Sequence, residues 1–116
     1  MRGRDTSPTL RVVPRDQETD VPCDATLLVT APRPVNQLST GGLRVRTEEG
    51  DVEGVVEVSS DGRILFWRPT GAMDPRVRHH VTISGVRDER GALFDDLCST
   101  FVTGTFSSVD LRLGAD

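Results

Sequence analysis

Apolar residues in this chain recur at every second position, in short runs separated by glycine, proline, aspartate and serine. Such alternation sends one side chain into a core and the next into water, which predicts half-buried β-strands. Residues 9–13 form the first run. In 25–31, Leu27, Val29 and Ala31 share one face and Thr26, Leu28 and Thr30 the other, until Pro32 and Pro34 end the pattern. In 43–47, Leu43, Val45 and Thr47 alternate with Arg44 and Arg46, which predicts a solvated outer face. Residues 52–58 follow a turn at Glu49, Gly50 and Asp51. They lead through Ser59, Ser60, Asp61 and Gly62 into 63–68, and an Asp-Gly pair between two such runs predicts a tight hairpin. Residues 79–86 set His79, Val81 and Ile83 against His80, Thr82 and Ser84. The last run is 98–103. No stretch carries a sustained helical period, and 71–78 allows one helical turn at most, interrupted by Pro75. The pattern predicts an all-β fold: an immunoglobulin-like β-sandwich of about seven antiparallel strands in two sheets. It assigns 1–8 to a flexible lead, 9–104 to the sandwich and 105–116 to a tail. In that tail, 109–113 reads as an added edge strand or a linker.

Composition narrows the function more than the fold. A chain of 116 residues is one domain, able to fold alone. The net charge is −4 with both signs interspersed, which argues against a nucleic-acid footprint. All 14 basic residues are arginine, a pattern that reads first as genome composition. No run of apolar residues is long enough to span a membrane. Residues 1–8 are basic but lack an apolar segment, so they do not read as a leader. The protein is then either cytoplasmic or has its leader removed or upstream.

The residues that could carry chemistry are few. Cys23 and Cys98 have no metal-ligand spacing; an even count suits a disulfide in an exported protein, and the plain alternative is two unrelated half-buried thiols. Asp88 and Gly91 read as a tight turn, with the aspartate bonding its own backbone. The competing reading is calcium, for which Asp88, Glu89, Asp95 and Asp96 supply oxygen close together, though without EF-hand spacing. His79 and His80 point to opposite faces and cannot share a metal ion; His79 is expected inside and His80 outside. Phe66 and Trp67 must likewise face opposite ways. Trp67 is expected in the core; if exposed, it becomes a candidate binding residue for a sugar or a protein partner. No nucleophile elbow, phosphate loop, zincin motif or paired-cysteine zinc motif occurs, so neither an enzyme nor a cofactor is expected.

The order of several short motifs resembles a known family. Val13-Pro14, then Asp20-Val-Pro22, Ala31-Pro-Arg-Pro-Val35, Gly50-Asp-Val-Glu-Gly54, Phe66-Trp-Arg-Pro69, His79-His-Val-Thr-Ile-Ser-Gly-Val-Arg-Asp88 and Phe101-Val-Thr-Gly104 follow one another. Together they resemble the bacterial Ig-like domains of surface-layer proteins, the SbsA-type Ig-like family, over residues 9–104. Ala31 stands where that pattern has Phe, and His79 where it has Tyr. The resemblance implies a non-catalytic structural or protein-interaction module of a bacterial cell-envelope or secreted protein, located at the cell surface, outside the cell or in the periplasm. A protein partner is expected, with edge-strand pairing as one route. Two alternatives stand beside it. One is a carbohydrate-binding or accessory domain of a secreted hydrolase, which needs an exposed aromatic among Trp67, Phe66, Phe94 and Phe106. The other is a small subunit of a larger surface or secretion assembly, with the tail pairing to a neighbour.

Overall fold

The computed structural model describes residues 9–105. In chain order the strands are β1 (Arg11–Val13), β2 (Glu18–Val21), β3 (Leu27–Thr30), β4 (Leu43–Thr47), β5 (Gly50–Asp51), β6 (Gly54–Val58), β7 (Ile64–Pro69), β8 (Arg78–Ile83) and β9 (Leu97–Thr103). A 3₁₀ helix, Gln37–Gly42, precedes β4. One sheet has the order β1-β3-β7-β6 and the other β2-β9-β8-β4-β5. Every pairing is antiparallel except β2 with β9, which is parallel. The first sheet has the A-B-E-D order of an immunoglobulin sandwich, and β9, β8 and β4 have its G-F-C order. The expected fold is therefore the observed one, with nine strands rather than seven.

The two additional strands have weak patterns of their own. β2 reads Glu-Thr-Asp-Val, and only Val21 is buried. It is held by non-local bonds: the Gln17 amide donates to the Thr100 carbonyl (2.7 Å) and the Gly104 amide to the Val21 carbonyl (2.9 Å). β5 is two residues that hairpin onto Thr47 and Arg46. The run expected at 52–58 starts later, at Gly54, because the Val52 amide still bonds the Val45 carbonyl of the other sheet (2.8 Å). The chain thus steps from one sheet edge to the other within two residues.

The core lies between the sheets. Leu27, Val29, Leu65 and Trp67 come from one inner face, and Val45, Val81, Ile83 and Phe101 from the other. Each fully buried aliphatic or aromatic side chain contributes about 1.5–3 kcal/mol over an exposed one. Met73, Val86 and Phe94 close the ends from loops. The Asp61-Gly62 hairpin forms as the sequence predicts. Gly62 takes φ +76°, a conformation costly for residues with a Cβ. Asp61 Oδ1 accepts from the Ser59 hydroxyl (2.6 Å) and the Arg63 amide (3.1 Å). These bonds, the hydroxyl first, hold the Asp61 carboxyl below its ordinary pKa.

Two local features differ from expectation. The one helix among the described residues is Gln37–Gly42, in a stretch with no sustained helical period, capped by Asn36 Oδ1 accepting from the Leu38 amide (2.9 Å); residues 71–78, where one turn at most is expected, hold none. The staple expected between Cys23 and Cys98 does not form. The buried Cys23 thiol meets the Gly104 carbonyl (3.5 Å), just past the end of β9. Cys98 is exposed near the start of that strand, paired with Thr82. Six residues of strand separate Cys98 from Gly104, about 20 Å at strand rise, far beyond the reach of a disulfide. The tail strand expected at 109–113, and Phe106, lie outside the described residues.

Candidate interaction surface

The residues singled out for chemistry are mostly committed to holding the fold. Asp88 is the clearest case. Its Oδ1 accepts from the Arg90 and Ala92 amides, each at 2.9 Å, and its Oδ2 from Arg33 Nε at 2.9 Å. The loop is closed further by Arg87, whose guanidinium donates to the Gly91 carbonyl (2.7 Å). Backbone bonding at Ala92, then Arg33 and Arg90, holds the Asp88 carboxyl below its ordinary pKa. Arg33 also lies over the Phe94 ring, 4.8 Å from its centroid. Both Asp88 oxygens thus face donors that a cation would have to displace. Asp95 and Asp96 point to solvent, and among the described residues no group of three or more metal-ligating side chains exists. Of the four residues named for calcium, Asp88 is thus engaged by the turn, while Glu89, Asp95 and Asp96 are exposed.

His79 is fully buried and His80 exposed, as their opposite faces require. The His79 ring stacks on Phe101, and its Nδ1 meets the Val77 carbonyl at 2.9 Å. Burial pushes the imidazole below its ordinary pKa, against the pull of Val77 and Asp74. With the ring neutral and Nδ1–H donating to Val77, Nε2 is left as an acceptor with no partner among the described residues.

The aromatic question resolves inward. Trp67 is 3% exposed and belongs to the core, so it offers no platform to a sugar or a protein partner. Gly54 of β6 makes room for it: a Cβ there would collide with the indole Cε2, Nε1 and Cζ2. Phe94 is buried as well. Phe66 is the aromatic that faces out from the first sheet, half-buried beside Leu28 and Glu57 across the strands. It lines a shallow open hollow of ≈ 440 Å³ with Thr26, Leu28, Glu57 and Arg68. Val13 extends the apolar row across β1. Arg68 and Glu57 pair over its other side.

The sheet edges differ sharply in what they offer a partner. β1 has three residues and runs into Pro14; β2 is irregular, with Asp20 at φ +57°; β5 has two residues. β6 is five residues of regular strand, Gly-Val-Val-Glu-Val, free of proline. Its bonding side follows from two bonds. The Ser59 amide donates to the Ile64 carbonyl (2.8 Å), and the Thr70 amide to the Glu53 carbonyl (3.0 Å). Antiparallel ladders alternate, so Val55 and Glu57 bond to β7 while the amides and carbonyls of Gly54, Val56 and Val58 point away from the sheet. A row of outward backbone groups on a long, flat strand is a template for another strand.

Comparison with known proteins locates the fold. No protein-family model and no curated protein matches the chain. Among solved structures, it is similar to the N-terminal part of the bacterial S-layer protein SbsC, with a TM-score of 0.61 and 19% identity over 83% of this chain and 24% of that one. It is also similar to L,D-transpeptidase 1 of Mycobacterium tuberculosis, with a TM-score of 0.54 and 22% identity over 80% of this chain and 36% of that one. L,D-transpeptidase 3 of the same organism, in complex with a faropenem-derived adduct, matches with a TM-score of 0.57 and 16% identity over 86% and 39%. The chain therefore shares its fold with portions of a surface-layer protein and of two transpeptidases, and spans well under half the length of each.

Proposed function

We propose that this chain is a non-catalytic Ig-like module of a bacterial cell-envelope or secreted protein, of the surface-layer type, which holds or positions another protein. The observation that carries the reading is the shared sandwich: the same fold recurs as part of an S-layer protein and of two larger transpeptidases. The side chains support it. Asp88 closes a turn, His79 and Trp67 pack the core, and the Cys23 thiol is buried against a backbone carbonyl. What faces outward is strand edge and sheet face. A protein partner that adds a strand draws its affinity from main-chain hydrogen bonds. The carbohydrate alternative is weakened by the burial of Trp67 and Phe94.

Fractionation of the producing cells with an antibody to the chain tests the reading. Recovery in the envelope or the medium, with digestion by protease added to intact cells or spheroplasts, is expected. Recovery wholly in the cytosol would overturn it.

A further inference from the structure

The edge of β6 is self-complementary, and the charges on it select a single register. Gly54, Val56 and Val58 direct their backbone groups away from β7, and none of them bonds elsewhere among the described residues. An antiparallel copy of the same strand can therefore meet it with outward groups on both sides. Centring the pairing on Val56 matches Gly54 with Val58 of the second copy, Val56 with its own counterpart, and Val58 with Gly54. All three outward amides and carbonyls of each strand then find partners.

Side chains discriminate this register from its neighbours. In the centred register, exposed Val55 stands opposite Glu57 of the second copy, and Glu53 stands opposite Ser59. Sliding by two residues one way sets Glu57 against Glu57. Sliding by two the other way sets Glu53 against Glu57. Like charges directly opposite each other on neighbouring strands are destabilising. A slip of one residue turns the bonding groups away and exchanges the two faces. On the inner face, Val56 and Val58 are already partly buried against the core, so the pairing extends the apolar layer instead of ending it. On the outer face, the 52%-exposed Val55 gains cover. The other edges lack this combination of length, regularity and charge spacing.

We propose that β6 binds β6 of a second copy of this chain, antiparallel about a two-fold axis through Val56, joining the two four-stranded sheets into one. This rests on reading the chain as a protein-binding module and names a second copy as the partner. A two-fold pairing of this kind closes on itself and gives a dimer rather than a filament.

Sedimentation equilibrium of the 116-residue chain from micromolar to millimolar concentration tests it. The expected result is a reversible dimer. Val56→Pro removes an amide that β7 does not use, and proline is tolerated at such edge positions. Its two lost hydrogen bonds per dimer weaken association about 30-fold, while the lost packing of Val56 against the core lowers thermal unfolding at low concentration without abolishing the fold. Val55→Lys, on the exposed face, sets a cation against Glu57 of the second copy twice per dimer and tightens association about threefold; Val55→Glu weakens it about as much. Should Val56→Pro fail to fold, the two Val55 variants decide the register alone. A single-chain species at all concentrations overturns the proposal, as does a dimer indifferent to all three substitutions. Neither outcome bears on where the protein resides, so the envelope reading is tested separately by fractionation.

Discussion

The rings of His79 and Phe101 lie parallel, 4° apart in plane with centroids 4.9 Å apart, as cross-strand partners on β8 and β9 of the five-stranded sheet. The stack holds a titratable group where water does not reach it. The folded-state pKa lies below the ordinary 6.5 because burial disfavours the charged ring. As pH falls, the unfolded chain binds that proton first. The sandwich is therefore fully stable, as far as His79 is concerned, above about pH 6.5, and loses stability below it by at most about 1.4 kcal/mol per pH unit. Urea midpoints measured at about pH 7.5 and 5 should fall with pH, and His79→Phe should remove most of the difference. An undiminished loss in that variant would place the effect on other groups.

Asp88→Ala leaves two amides and the Arg33 guanidinium without their shared acceptor. The expected outcome is a lower melting temperature and faster hydrogen exchange at the Arg90 and Ala92 amides. Asp88→Asn retains an oxygen for the turn and should lose less. Because the folded-state carboxyl is held below its ordinary 3.8, its contribution is complete above that value and disappears as pH falls through the lowered one. Equal exchange rates in wild type and Asp88→Ala would show that the loop holds itself without the carboxylate.

Gly54→Ala pushes a methyl group into the buried indole of Trp67. Overpacking of this kind costs about 1–3 kcal/mol. Urea unfolding followed by Trp67 fluorescence should show the loss, together with an altered emission of the folded state. Unchanged stability and emission would mean that the indole does not occupy the space beneath β6.

The two cysteines should differ in reactivity. Cys98 is exposed and Cys23 is buried. A maleimide should label one thiol in the folded chain and two in urea, and non-reducing electrophoresis should show no intrachain crosslink. Protection of both thiols until a reductant is added would restore the disulfide.

The sandwich was legible because its central strands alternate strictly, and alternation is a property each strand carries by itself. β2 was not, since Glu18, Thr19 and Asp20 are all exposed and the strand exists through bonds to Thr100 and Gly104, which lie about eighty residues away. The sequence shows that Phe66 and Trp67 face opposite ways. Which one is inside depends on Leu65 sharing the face of Trp67 and on the gap at Gly54. The Asp88 turn was readable because its bonds are local. The pairing of Cys23 with Cys98 failed because nearness to the two ends of the domain does not reveal which end of β9 a residue occupies. The free edge of β6 was visible as a run without proline, but not as an edge, because edge position belongs to topology.

The parallel alignment of β2 and β9 has a mechanical consequence. β2 lies near the start of the described chain and β9 near its end, and they run side by side in the same direction. Tension applied through the two termini slides one strand along the other. It loads the bonds from Gln17 to Thr100 and from Gly104 to Val21 at the same moment. Strands pulled in that direction give way together, at a higher force than strands peeled apart one bond at a time.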